Sequence, residues 1–186
     1  TPDASATFTG WSGACTGAGA CQVTLAGAKS VTATFAQISY IVVTARAGTG
    51  GSISPATRSV VQGATTTFTV TPTSGYRIGT VSGCGGSLAG NTYTTGAITA
   101  ACTVSASFTV LPKYTLTVTK GGTGTVASAP AGISCGSDCS EAYSSGTPVT
   151  LTATAGAGYQ FASWTGCTSV SGTTCTIAMT GAKSVK

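Results

Sequence analysis

The sequence predicts an all-β protein made of tandem copies of one small module, with little or no helix. Three observations predict it: Thr and Val alternate with a period of two in several short runs, Gly-rich segments separate these runs, and long stretches recur along the 186 residues. Such alternation presents one face of a strand to a core and the other to solvent. No stretch shows the periodicity of a long amphipathic helix; at most residues 27–30 (GAKS) form a single helical turn before a strand.

The recurring stretches divide the chain into three copies. Residues 10–35 return near the end as residues 163–186, and the pentapeptide GAKSV is identical at 27–31 and 181–185. A more divergent middle copy shares its YIVVTARAGTGGSI and GATTTFTVTPTSGYRI segments with the last copy. We therefore predict the C-terminal half of a first repeat, a second repeat and a third repeat, over residues 1–36, 37–110 and 111–186.

The strands of the module follow in chain order from these matches. The alternating runs are VTATF, TTFTVT, VSASF, TLTVT and VTLTAT, at residues 31–35, 66–71, 104–108, 115–119 and 149–154. Thr is β-branched and suits a half-exposed sheet face. The glycines of GTGG (48–51) and GGTG (121–124) supply the turn positions that hairpins need. We expect each unit to contain roughly five or six short antiparallel strands, packed as a small β-sandwich or a β-grasp-like sheet.

The third copy differs from the second by an insertion. The match between the two copies shifts by nine residues between their first and later segments, which places a nine-residue insertion within about 128–143. That segment contains Cys135 and Cys139, so the extra loop has its own pair of cysteines. The last strand of the third copy is truncated at Lys186, and by analogy with residues 32–35 we expect about four further residues of strand. We therefore expect the segment to come from a longer tandem array.

The eight cysteines form four local couples. These are Cys15 with Cys21, Cys84 with Cys102, Cys135 with Cys139, and Cys167 with Cys175. Each couple lies within one repeat, so we predict four intra-repeat disulfides, although eight cysteines formally allow 105 pairings. The competing hypothesis is zinc, but no couple has the C-x2-C spacing and the chain has no His to complete a site. Disulfides indicate an oxidising compartment, outside the cytoplasm.

Composition argues against catalysis. The chain has no His and only three acidic residues, Asp3, Asp138 and Glu141, which excludes Ser-His-Asp and Cys-His systems. A paired-carboxylate hydrolase would have only Asp138 and Glu141 to use. We predict no enzyme, no cofactor and no metal. The net charge of +5 comes from dispersed basic residues, and no apolar run is long enough for a membrane span, so we expect neither nucleic-acid binding nor membrane insertion.

Two further clusters of side chains are candidates for binding. Trp11 and Trp164 could form an aromatic platform for sugar, but Val81 replaces them in the middle copy, which favours a core role. Asp138 and Glu141 could help to bind calcium, but two carboxylates are few against the six to eight oxygens that calcium takes, so a solvated loop is the simpler interpretation. The expected repeat core consists of Phe8, Trp11, Phe35, Tyr76, Ile78, Val81, Phe108, Tyr159, Phe161 and Trp164.

The recurring motifs resemble a known bacterial family. The YTLTV start, the WTGC or VSGC corner and the GAKSVTATF finish are similar to the divergent B-repeat module of bacterial surface proteins, related to the repeats of internalin B. The likeness covers almost the whole chain. It implies β-rich modules in tandem in large secreted or surface-anchored proteins, serving as stalks or interaction modules without catalysis. It implies no binding residues, because the family shares no ligand motif.

We therefore predict a non-catalytic structural repeat of a secreted or cell-surface bacterial protein, acting as a stalk, a spacer or a filament-building module. Its partners would be the neighbouring repeats of the same polypeptide, or copies of itself in a polymer. The alternative is an adhesin module that binds glycan or a partner protein through its loops, above all the inserted loop at 128–143. Dispersed monomers that bind a glycan would favour that alternative over a filament.

Overall fold

The computed structural model describes residues 5–186, and the described residues contain strands and no helix. The chain divides into two compact units. The first takes in the chain up to Thr73 together with Ile78–Phe108, and the second consists of Ser74–Arg77 and Thr109–Lys186. The prediction of an all-β protein is confirmed.

The first repeat contributes a two-stranded antiparallel sheet to the first unit. Strand β1 (Ala6–Gly13) pairs with β2 (Val31–Gln37), with one irregularity between Phe8 and Gly10. The segment between the strands contains no helical turn at residues 27–30. Gly27 has a φ of 155° there, which a right-handed helix does not accommodate, in agreement with the prediction of little or no helix.

The second repeat is a two-layer sandwich. Its strands are β3 (Tyr40–Ala47), β4 (Gly51–Ser54), β5 (Thr57–Val61), β6 (Thr67–Pro72), β7 (Tyr76–Ser82), β8 (Ser87–Ala89), β9 (Thr92–Thr94) and β10 (Cys102–Val110). One sheet has the order β5-β3-β10-β7 and the other β4-β6-β9-β8. A single hydrophobic cluster joins residues of both sheets, among them Val43, Phe68, Tyr93 and Val104, so the core lies between the layers.

The third repeat has a related topology, but it has no strand in the place of β7 and one extra strand in its other sheet. Its strands are β11 (Lys113–Val118), β12 (Gly124–Ala129), β13 (Ser134–Cys135), β14 (Ser140–Ser144), β15 (Pro148–Ala155), β16 (Ser169–Ser171), β17 (Thr174–Ala178) and β18 (Lys183–Val185). One sheet has the order β14-β11-β18 and the other β13-β12-β15-β17-β16. Leu116, Leu151, Ile177 and Met179 are fully buried in its core. The two complete repeats therefore bury equivalent strands in equivalent layers.

The expectation of purely antiparallel sheets needs one correction in each complete repeat. The first and last strands of a repeat run in the same direction: β3 pairs with β10 and β11 with β18 in parallel. The alternation of Thr and Val places a strand but does not give its direction. Between the first and last strands the chain alternates between the two sheets, and the last strand then pairs directly with the first.

Strand pairing also refines the match between the repeats. Val43 lies opposite Cys102 and Leu116 lies opposite Lys183, and Cys102 and Lys183 occupy the same place two residues before the valine of the last strand. Val43 and Leu116 are therefore equivalent, so Ile41 rather than Tyr40 corresponds to Tyr114. By this register the insertion in the third repeat is one residue longer than the match of the two tyrosines indicates.

Candidate functional site

All eight cysteines form disulfides, in the pairs that the sequence predicts. Cys15 bonds Cys21, Cys84 bonds Cys102, Cys135 bonds Cys139 and Cys167 bonds Cys175, over sequence separations of 6, 18, 4 and 8 residues. Both members of each pair lie within one predicted repeat. We call the recurring segment at residues 11–13 (WSG), 81–83 (VSG) and 164–166 (WTG) the corner. Three of the four disulfides begin one or two residues after a corner, at Cys15, Cys84 and Cys167.

The second and third repeats fill one core position with different chemistry. Cys175 on β17 and Tyr93 on β9 are equivalent, because each lies opposite the same buried position of the neighbouring strand. Cys175 bonds Cys167 at the corner. The Tyr93 hydroxyl instead donates a hydrogen bond to the Gly83 carbonyl oxygen at 2.6 Å, and its side chain is 1% exposed. A hydrogen bond in one repeat thus replaces the disulfide that ties the same strand to the same corner in the other.

The corner itself depends on a glycine that all three copies share. The residue has a positive φ in each copy: 97° at Gly13, 116° at Gly83 and 87° at Gly166. A Cβ there would overlap a backbone carbonyl oxygen of the last strand, that of Ser30, Thr103 or Ser184 respectively. The corner therefore requires glycine for two reasons: its positive φ and the close approach of the backbone at the last strand.

The tryptophan before this glycine also has the same partner in two copies. The Trp11 indole N–H donates to the Gly19 carbonyl oxygen at 2.9 Å, and the Trp164 indole N–H donates to that of Thr173 at 3.1 Å. Each acceptor lies two residues before the second cysteine of the local disulfide. The N–H groups are thus used within the repeat, and the half-buried rings support a structural role over a sugar platform.

The residues expected to form the core lie mostly at its rim. Eight are half-buried: Phe8, Trp11, Tyr76, Ile78, Val81, Phe108, Phe161 and Trp164. The expectation is wrong for Phe35 and Tyr159, which are 47% and 56% exposed. The rings cluster beside the corner, whereas the alternating positions of the strands, together with Phe68, Tyr93 and Met179, fill the space between the layers.

Pairs of these rings touch in two copies. The ring centroids of Phe8 and Trp11 are 5.0 Å apart, and Phe8 also meets Phe35 edge-on at 5.6 Å. In the third repeat, Phe161 and Trp164 form the corresponding pair at 5.6 Å. The same corner thus recurs with its glycine, its disulfide and its aromatic neighbours.

A comparison with protein-family models matches all three copies to the divergent InlB B-repeat domain, over residues 1–39, 41–111 and 114–186. The chain belongs to the divergent InlB B-repeat family. Comparisons with curated proteins and with solved structures find no significant match.

The insertion of the third B-repeat is built into its core. Ile133, Cys135 and Tyr143 are buried, and the Tyr143 hydroxyl donates to Ser128 Oγ at 2.8 Å. Strand β14 pairs with β11 as β5 pairs with β3, and β13 adds an extra strand beside β12. The exposed residues of the segment are 129–131, 134, 136–138, 140 and 142. Part of this segment therefore supports the sandwich, and the exposed residues are the part that a partner could contact.

The acidic side chains of the insertion bond to their own hairpin. Asp138 Oδ1 accepts from the Ser140 amide at 3.2 Å, and Glu141 Oε1 accepts from the Ala142 amide at 2.8 Å. Among residues 5–186, no group of three or more His, Cys, Asp or Glu side chains could hold a metal ion. No helix in the described part of the chain is long and apolar enough to cross a membrane. Asp3 lies outside the described residues.

The third B-repeat also has a cavity beside its corner. The cavity has a volume of about 370 Å³ and is lined by Thr119–Val126, Ala153–Ala155, Tyr159–Thr165 and Lys186. Its walls offer aromatic faces, glycine backbone and threonine hydroxyls. Such a surface can bind an extended or aromatic group.

Proposed function

We propose that this chain is a non-catalytic structural segment of a secreted or cell-surface bacterial protein, in which B-repeats act as spacers or build a filament. The observation that carries the proposal is the nature of what the copies share. The recurring side chains are those that hold each corner together: the glycine, the cysteine and, in two copies, the tryptophan with its carbonyl partner. These shared features of the corner hold the module together.

Disulfide geometry supports a role outside the cytoplasm. All four bonds close loops of 4 to 18 residues within single repeats, so the covalent stabilisation of each repeat does not involve its neighbours. Short closures of this kind stabilise by roughly 2 to 3 kcal/mol each on the chain-entropy account. Disulfides form and persist in oxidising compartments such as the periplasm and the cell surface.

We also propose that the segment has no catalytic activity, and the hydrogen bonds of its two described acidic side chains support this. Asp138 and Glu141 are bonded to backbone amides of their own hairpin, so they are not arranged as a facing acid and base. In glycosidases, two carboxylates flank a bond to be broken. Here Asp138 accepts from an amide two residues ahead, and Glu141 accepts from the next amide of β14.

Electron microscopy of the native material tests the proposal most directly. A spacer or filament protein should show regularly repeated globules along a rod or polymer. Dispersed monomers that bind specific sugars on a glycan array, with binding lost on substitution of the exposed tip at 136–138, would instead establish an adhesin and refute the spacer function.

A further inference from the structure

Strand β5 of the second repeat leaves one edge of its sheet open. It is the outer strand of the β5-β3-β10-β7 sheet and pairs with β3 alone. The Gln62 amide donates to the Ser39 carbonyl oxygen at 2.8 Å, and from there the residues of β5 alternate between bonding β3 and facing away from it. The residues whose amides face away are Thr57, Ser59 and Val61.

The equivalent edge of the third repeat is capped by two acidic side chains. Strand β14 pairs with β11 as β5 pairs with β3, and the amides of Ser140 and Ala142 face away from β11. The Ser140 amide donates to Asp138 Oδ1 at 3.2 Å, and the Ala142 amide donates to Glu141 Oε1 at 2.8 Å. The two carboxylates thus occupy the amides that a further strand would need for pairing.

The second repeat has no carboxylate with which to cap its own edge. The sequence has no acidic residue between Asp3 and Asp138. Thr57 and Ser59 are exposed, so their main-chain groups are accessible to another strand. An exposed edge with unpaired amides and carbonyls is a template for strand addition.

Apolar side chains stand beside the open edge on the outer face of the sheet. Tyr40 lies opposite Val61 across the β3–β5 pair, and Val42 lies opposite Ser59. Tyr40, Val42 and Val61 are 54%, 51% and 42% exposed. By strand register, the third repeat has polar residues in these three places, Lys113, Thr115 and Ser144. The apolar row therefore accompanies the open edge, and the capped edge has a polar row instead.

The open strand is complementary to a second copy of itself. When two β5 strands pair antiparallel with Ser59 opposite Ser59, Thr57 lies opposite Val61 and Arg58 lies opposite Val60. β-Branched side chains then face each other, and the two arginines do not. The same pairing brings the two apolar rows together around a two-fold axis. A second copy thus satisfies both the main-chain groups and the exposed side chains of this edge.

We propose that β5 of the second repeat docks against β5 of a second copy of the chain, in a symmetric antiparallel pair that joins the two sheets. Asp138 and Glu141 keep the third repeat out of such contacts by occupying its outward amides. The association is weak, because pairing of a five-residue strand is smaller than the about 800 Å² per partner of a stable complex. A spacer needs no contact between copies, so this pairing goes beyond the proposed function.

Sedimentation equilibrium of the full chain tests the pairing. As the concentration rises from about 1 µM to about 1 mM, the average mass should rise from 17.9 kDa towards twice that value. Ser59→Pro removes an outward amide but no bond to β3, and it should weaken association at least about tenfold. The matched control Ser59→Ala keeps the amide and should associate like the parent chain. A monomer at every concentration, or equal association of the two variants, would overturn the proposal.

Hydrogen exchange locates the contact along the chain. The amides of Thr57, Ser59 and Val61 should exchange more slowly as the concentration of the chain rises, because each gains a bond only in the pair. The capped amides of Ser140 and Ala142 should exchange at the same rate throughout. Dimers in which the β5 amides exchange as fast as in the monomer would show that the copies meet elsewhere, and the proposal would fall.

A double variant tests the apolar row without altering β5 itself. Tyr40→Lys with Val42→Thr gives β3 the outward residues that the third repeat has at these places. Both positions are exposed, so the melting temperature should change little. Association should nevertheless weaken at least about tenfold, because the apolar rows no longer meet. Association equal to that of the parent chain would contradict the proposed contact.

Discussion

The Cys84–Cys102 bond should be the main covalent contribution to the stability of the first compact unit. The bond closes the longest of the four loops, with a sequence separation of 18 residues. Cys84 and Cys102 are both only half-buried, so their replacement by alanine removes little packing. The chain-entropy account gives a loss of about 3 kcal/mol for a closure of this length. For a unit of this size, that corresponds to a fall in melting temperature on the order of 15 °C.

The assay is calorimetry of the double variant Cys84→Ala with Cys102→Ala under oxidising conditions. The matched control in the same unit is Cys15→Ala with Cys21→Ala, whose loop of 6 residues should give a loss of about 2 kcal/mol. Hydrogen exchange at the Val104 amide should accelerate in the first variant and change less in the control. The reasoning would be refuted by a loss below about 1 kcal/mol for the longer loop, or by a larger loss in the control.

Three further substitutions follow from the corner. Gly166→Ala should lower the free energy of unfolding of the third repeat by at least about 2 kcal/mol, because alanine disfavours the positive φ and its Cβ would overlap the Ser184 carbonyl oxygen. Urea denaturation measures this loss, and an unchanged midpoint would contradict the account. Tyr93→Phe should cost about 1 kcal/mol by removing the hydrogen bond to Gly83, with faster hydrogen exchange across β9 as the local signature. Trp164→Phe should cost about 1 to 2 kcal/mol in melts followed by circular dichroism, because the Thr173 carbonyl oxygen still accepts the Ala153 amide and the phenyl ring keeps part of the packing. A loss as large as that of Trp164→Ala would contradict this estimate, because alanine removes the ring as well as the N–H.

Sequence reasoning predicted well those features that are local along the chain. The runs of alternating Thr and Val coincide with β2, β6, β10, β11 and β15, and only Thr66 and Thr119 lie one residue outside their strands. Period-two burial is a local property of a strand, so the sequence reveals it. The disulfides were also accessible, since each couple lies within one repeat and within 18 residues. The β8–β9 hairpin was not predicted, because its strands, Ser87–Ala89 and Thr92–Thr94, are too short to show alternation.

Features that depend on contacts between distant segments were out of reach. The parallel pairing of β3 with β10 depends on the path of the chain through the second sheet, which no local pattern encodes. The equivalence of Tyr93 and Cys175 was hidden because the two residues share no chemistry and only strand register relates them. The recurring aromatic residues were expected to lie inside the core. In the structure they lie beside the corner glycines, where their rings pack against the last strand at the rim of the core. A count from the valine of the last strand aligns the two phenylalanines, because Phe35 follows Val31 by four residues and Phe108 follows Val104 by four.

The parallel pairing of β3 and β10 has a mechanical consequence. One strand begins the second repeat and the other ends it, and they run side by side over five residue pairs from Val43 to Ala47. A pull on the two ends of the repeat therefore shears the ladder along its length, so its hydrogen bonds must break together rather than one after another. Cys84–Cys102 anchors the start of the terminal strand to the corner, upstream of the point of pull. Force spectroscopy of the full chain should accordingly record a high-force rupture for this repeat, and a gradual, low-force extension would show that the ladder peels instead.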